Sequence, residues 1–343
     1  MKIFISTLFT LFLVGSQFTS EAKTLDGLFT KEIKVKVSKL SILPDGMPMT
    51  GSVILTLDKH LIITAVGLPK TLYVFDLEEN KYVYNLFTYG RGHKEILWPS
   101  SVGAHDKGLM LTVNRTIIIV DSLYKNCDRG QWNVKNLDPT LTFLSTTKLK
   151  DESYVAAGFW QDSKSPFVLL DKDFRVLQYF DDYPYKNNDD YRGCDLAMAT
   201  QGHLVSYENK FSFASSYGHI IKFFELENSK IIKKKEYIFE VPKFKSISTT
   251  NTTAVGVDKN TPLGAFPGTA SKNTYFFLYG IGVYQPRIRG GNIIYCFDHN
   301  GEPKQKIILD VKIEGINYSE KYNCLIGVGE DEDGEYQIYK ILL

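Results

Sequence analysis

The residues with the greatest chemical capacity in this sequence are scattered rather than grouped. Six histidines stand at positions 60, 93, 105, 203, 219 and 299, no two of them four apart, and HExxH does not occur. The paired imidazoles of a helical zinc site are therefore missing. There is no GxSxG turn to expose a nucleophilic serine and no GxxxxGK[ST] loop to cradle phosphates. Gly90-Arg91-Gly92 lacks the third glycine of a dinucleotide fingerprint and opens no helix. Cys127, Cys194, Cys296 and Cys324 include no CxxC pair, which argues against a zinc ribbon. In an exported protein they would pair in one of three ways or remain as buried thiols. The run Glu330-Asp331-Glu332-Asp333-Gly334-Glu335 is too compact for a calcium loop and predicts a solvated turn. Asp181-Asp182 and Asp189-Asp190 read as surface charge. Two carboxylates facing each other across a channel would suit glycoside hydrolysis, but only their separation decides that. No catalytic residue, metal ligand or cofactor is assigned.

The elements that carry these residues belong to a globular chain. Of 343 residues, 43% are hydrophobic and 13% aromatic, ample material for a core. Lys and Arg number 40 against 39 Asp and Glu, so the basic excess of a nucleic-acid binder is absent. Residues 1–22 have the layout of a secretory signal peptide. Lys2 gives a positive start, 3–14 is apolar apart from Ser6, Thr7 and Thr10, and Ser20 and Ala22 precede a cleavage point. No other stretch approaches the ~20 apolar residues of a membrane helix. With the first cysteine at 127, no lipid-bearing cysteine follows the leader. The expectation is an exported protein, periplasmic or extracellular and not a lipoprotein, with one domain over 23–343.

That domain reads as strand from end to end. Short β-branched and aromatic runs, such as 52–57, 61–65, 71–75 and 82–87, alternate with turn clusters. A meander of four recurs, and its third strand closes on an acidic residue before a turn. The instances are Tyr73-Val74-Phe75-Asp76, Ile118-Ile119-Val120-Asp121, Val168-Leu169-Leu170-Asp171, Lys222-Phe223-Phe224-Glu225 and Tyr295-Cys296-Phe297-Asp298, with a weaker sixth at Tyr336-Gln337-Ile338-Tyr339. Spacings of roughly 40 to 55 residues, with one longer gap, belong to propeller blades. The longer gap contains 241–263, rich in Thr, Asn, Lys and Pro, which reads as a loop. The fold expected is an all-β six-bladed propeller of four-stranded antiparallel blades. Its last blade has only three strands, and the alternating segment 31–37 is expected to supply the fourth, closing the ring.

The sequence resembles the TolB-like six-bladed propeller proteins exported by Bacteroidetes-type bacteria. The resemblance rests on Tyr275-Phe276-Phe277-Leu278-Tyr279-Gly280, on the hairpin from Gly291-Asn292 through Phe297-Asp298-His299-Asn300-Gly301-Glu302-Pro303, and on Leu309-Asp310. A second match is Gly90-Arg91-Gly92-His93-Lys94-Glu95, where the family pattern has Pro-Gly in place of His93-Lys94. It implies a fold and an exported address, and brings no reaction with it.

Strand direction places the a–b and c–d turns at one end of the propeller and the b–c and d–a connections at the other. The second set contains most of the long loops, which would gather candidate ligand-binding residues around one channel mouth. They are Arg91, His93, Trp98, Trp160, Tyr183, Tyr185, Arg192, Arg287 and Arg289, with Asp162, Tyr284, Asp189 and Asp190 nearby. Rings that stack and guanidinia that orient suit a polar small molecule, a glycan or a protein. Trp98 before Pro99 also suits blade packing, and Arg91 suits bracing of backbone carbonyls. The expectation is a monomeric, non-catalytic binding module, the alternative being a carbohydrate-active hydrolase or lyase at the channel mouth.

Overall fold

A computed structural model describes residues 24–40, 53–65, 68–92, 95–106, 108–113, 115–121, 123, 132–161, 163–185, 191–247, 249, 254–283 and 290–343. Residues 1–22, read above as a leader, and Cys127 lie outside them. Six sheets, each built on four antiparallel strands, follow one another around an axis. The inner strands, in chain order, are Ile54–Leu57, Ser101–His105, Leu141–Lys148, Gly202–Tyr207, Thr269–Ser271 and Gly315–Ser319. Each is hydrogen-bonded to a second strand, then a third, then an outer one.

Burial explains the sequence pattern. Second strands such as Gly108–Val113 and Thr274–Tyr279 are buried at every residue, because neighbouring blades cover both faces. The outer strand Lys230–Glu240 instead alternates exposed and half-buried positions. Six apolar cores lie between successive blades. Phe167, Phe180, Phe211, Phe213 and Phe224 fill the seam between blades 3 and 4, and Phe223, Tyr275, Phe277 and Phe297 the next. The seam between blades 6 and 1 is as apolar as the rest, with Ile326, Val328 and Ile338 against Leu61, Ile63 and Phe75.

The recurrent acidic residue has a local job. Asp76 Oδ1 accepts the N–H groups of Glu78 and Glu79, Asp171 those of Asp173 and Arg175, and Asp298 those of Asn300 and Glu302. Each carboxylate builds the turn between third and outer strand by satisfying its free donors. Asp331 does the same for Asp333 and Glu335, so the acidic run is a capped turn.

Ring closure differs from the expectation in register. Glu32–Val35, within the predicted 31–37, pairs in parallel with Lys306–Leu309 and becomes a fifth strand on blade 5. The outer strand of blade 6 is Ser38–Leu40, antiparallel to Ile338–Lys340. One N-terminal strap therefore crosses two blades. Leu25 anchors it, 1% exposed, among Phe277, Tyr295 and Phe297. The Lys306 ammonium pairs with Asp26 and Glu32 along its course.

The described residues of 241–263 hold a small hairpin, Phe244–Ser246 with Val255–Val257, and form no blade. Two features were not foreseen. A short helix, Gly193–Ala199, caps Tyr183 with Leu196 and Ala197. Asp181, expected at the surface, is buried and ion-paired with Lys222 of blade 4 and, at 3.0 Å, with Lys233. The pair joins the exit of blade 3 to the next blade.

Candidate functional site

The six inner strands surround an axial cavity of about 590 Å³. Its wall is formed by Leu55 and Thr56, Val102 to Ala104, Thr146 to Lys150, Leu204 to Glu208, Gly268 to Ala270, and Asn317 and Tyr318. Hydrogen bonds between neighbouring inner strands fix this wall. Asn317 Oδ1 accepts both the Thr56 N–H at 2.9 Å and its hydroxyl at 2.7 Å, joining blades 6 and 1. Thr147 Oγ1 meets Ser206 Oγ at 2.5 Å, and the Leu204 N–H donates to Ser145 Oγ, joining blades 3 and 4. Thr269 Oγ1 accepts the Tyr318 N–H between blades 5 and 6. A ring so tied presents preformed hydroxyl and amide groups to whatever enters. At Gly103 the wall opens, and a Cβ there would meet nothing within 4 Å.

The mouth lies where the inner strands run into the a–b turns. Lys148, 12% exposed, pairs with Asp106 at 2.9 Å and Glu152 at 2.9 Å. Burial works against its charge, but hydrogen bonds to Glu152 and Asp106 outweigh that and hold its pKa above the usual value. The Lys148 hydrogen bond in turn holds Asp106 below the carboxylate range. Lys150 pairs with Glu208 across to blade 4 at 3.0 Å. Glu320 also lines the cavity and has no ion-pair partner among the described residues. Four carboxylates thus face two ammonium groups, and the mouth is acidic in balance. His105 sits just beneath, its Nε2 3.1 Å from the Tyr154 hydroxyl.

The predicted candidates lie elsewhere, and those described do not converge. Trp160 is 4% exposed, and its Nε1 donates to the Ser165 carbonyl at 2.6 Å. Tyr183 is buried with its hydroxyl on the Gly158 carbonyl, and burial pushes its pKa well up. Tyr185 donates to the Pro242 carbonyl and packs on Tyr191 and Phe244. Arg192 binds Asp195 with two nitrogens, at 3.0 and 3.1 Å. Trp160 packs between blades 2 and 3, and the other three complete the packing of the long connection between blades 3 and 4. Trp98 is 38% exposed and stacks on Tyr89 with ring centroids 4.4 Å apart. Arg91, in the adjoining turn, is exposed. His93, Arg287, Arg289, Asp162, Tyr284, Asp189 and Asp190 lie outside the described residues. None of the described candidates lines the axial cavity.

The cavity residues escaped sequence reasoning because turn length drew attention to the opposite face. The available signal was the repeated placement of Ser, Thr and Asn on inner strands between apolar neighbours. The short-turn side has its own exception, since 121–131 joins third and outer strands of blade 2.

Among the described residues, no three His, Cys, Asp or Glu side chains form a metal-binding group, and no helix is long and apolar enough to cross a membrane. Cys194, Cys296 and Cys324 are free thiols, and burial pushes Cys296 up to about 12.

The profile of proteins described as TolB-like, 6-blade propeller-like, matches residues 31–321. A candidate exported protein of Bacteroides fragilis shares the fold with a TM-score of 0.57 at 12% identity, over 91% of this chain and 99% of that one. A luciferin-regenerating enzyme gives 0.53 at 9% identity, over 90% and 95%. At these identities the likeness is one of fold. No curated protein matches the sequence.

Proposed function

The chain belongs to the TolB-like 6-blade propeller-like family, and we propose that it is an exported, monomeric, non-catalytic binding module that takes a polar ligand in its axial cavity. The observation that carries this reading is the cavity wall itself. Inner strands of all six blades contribute to it, and hydroxyl and amide groups locked between strands line it. A rigid, preformed polar concavity orients a ligand without the cost of ordering loops. The acidic balance of its mouth favours neutral polyhydroxyl or cationic ligands over anions. Export is supported by the leader-like segment 1–22 and by the likeness to the Bacteroides fragilis protein. The long-loop face offers the exposed Tyr89–Trp98 pair as a further contact for a glycan or a protein.

The test uses the open space at Gly103. Residues 23–343 are screened by thermal shift and calorimetry against neutral oligosaccharides and against cationic amino acids. A ligand at 100 times its Kd adds about 2.7 kcal/mol of stability. Gly103→Phe projects a ring into the cavity from a position where the added Cβ meets nothing within 4 Å, so it is expected to keep its fold and lose that gain. Equal binding by wild type and Gly103→Phe places the ligand elsewhere and overturns the assignment.

A second reading rests on Asp106, Glu152, Glu208 and Glu320 around the mouth, which offer carboxylates for a carbohydrate-active hydrolase. Turnover of a bound oligosaccharide that is lost in Glu320→Gln would replace binding with catalysis.

A further inference from the structure

We propose a second binding site, for an amphipathic carboxylate, in the lateral groove between blades 1 and 2. The groove has a volume of about 540 Å³ and is separate from the axial cavity. Two chemistries divide it. Leu97, Val113, Ile118, Trp132 and Val134 give it apolar walls, while Arg91 and Arg115 bring two guanidinium groups. Arg91 lies in the connection leaving blade 1 and Arg115 in the turn between the second and third strands of blade 2, so both sit at the long-loop end. Trp132 pairs with Val120, at the opposite end of the same strands.

The charge balance selects the ligand. Among the described residues neither arginine has an ion-pair partner. Glu95 also borders the groove, but its carboxylate is turned into the Gly90–Gly92 loop, where it accepts the Gly92 N–H at 2.7 Å. Two cationic forks at one end, beside an apolar wall that continues to a tryptophan, match one carboxylate head on a hydrocarbon body. Guanidinium matches carboxylate in two-point geometry, and the body removes apolar wall from water. An acidic ligand is disfavoured at the axial mouth, so the two sites differ in what they accept.

The probe is decanoate, measured by calorimetry, with decanol and acetate as controls. Decanoate is expected to bind and each control to bind at least tenfold more weakly, since each lacks one half of the match. Arg91→Gln with Arg115→Gln changes two exposed side chains and is expected to keep the fold while weakening decanoate tenfold or more. Val134→Glu, which adds a carboxylate to the wall, is expected to weaken it as well. Gly103→Phe is expected to leave decanoate binding unchanged, so this site stands or falls apart from the axial one. Absence of decanoate binding, equal affinity for decanol, or full affinity in the double arginine variant overturns the proposal.

Discussion

Glu95 and Gly90 share one space. A Cβ built on Gly90 would stand 2.0 Å from the Glu95 carboxylate oxygen, the same oxygen that accepts the Gly92 N–H. Gly90 also has φ +153°, a conformation that side chains disfavour. The glycine and the acid are therefore two halves of one turn, and the Gly-Arg-Gly-x-x-Glu spacing records it. Gly90→Ala is expected to displace Glu95 and cost about 1–3 kcal/mol. Because both changes break the same contact, Glu95→Ala added to Gly90→Ala should cost far less than it does alone. Urea titrations of the two single variants and the double variant read this directly.

The Asp181–Lys222 pair predicts a second non-additive cycle. Both side chains are buried, so Lys222→Met removes one of the two ammonium groups on Asp181 and leaves Lys233 at 3.0 Å, for about 1–3 kcal/mol. Combining it with Asp181→Asn should restore much of that loss, with Lys233 left in solvent. Asparagine also tolerates the positive φ of 65° at this position. Equal and additive losses would show that the two blades are not clamped here.

Acid should weaken the fold in two windows. Burial and nothing else depresses His203, to about 4, so the folded state resists a proton that the unfolded chain takes up below ~6.5. Its contribution is present above that value and is lost as pH falls from there to about 4. Burial would raise Asp76, but Lys59 and the N–H groups of Glu79 and Glu78 outweigh it and bring the carboxyl to about 2. Its contribution is full above the ordinary carboxylate range and disappears as pH falls through about 2. Stability measured against pH should lose the upper step in His203→Gln and the lower in Asp76→Asn.

The strap predicts unequal effects along its length. Leu25→Ala removes a fully buried side chain and should cost about 2–5 kcal/mol. Lys39→Ala breaks an ion pair whose lysine is half exposed, and should cost far less. Thermal melts of the two variants should differ by several degrees.

The blade count was legible because the third strand of each blade carries local information. Apolar runs mark burial on two faces, and the acid that follows them caps its own turn, as Asp76, Asp171 and Asp298 show. What escaped depends on partners distant in sequence. Nothing near residue 32 states that Glu32 will lie beside Lys306, and nothing near Asp181 foretells Lys222. The same holds for the site. Trp160 and Tyr183 carry the residue types of a ligand platform, yet carbonyls supplied by folding, at Ser165 and Gly158, take up their polar atoms. The axial wall uses ordinary Thr, Ser and Asn, whose convergence only the closed ring creates.

Closure also sets a timetable. Ser38–Leu40 finds its partner at Ile338–Lys340, roughly three hundred positions later in the chain. During synthesis or transport the first blades can assemble in order, but blade 6 waits with an unpaired edge until both segments are present. Such a long-range final contact slows folding and leaves an open sheet available to other chains in the interval. The Lys31–Lys36 stretch, with three lysines beside the closing strand, places charge at the position where that hazard is greatest.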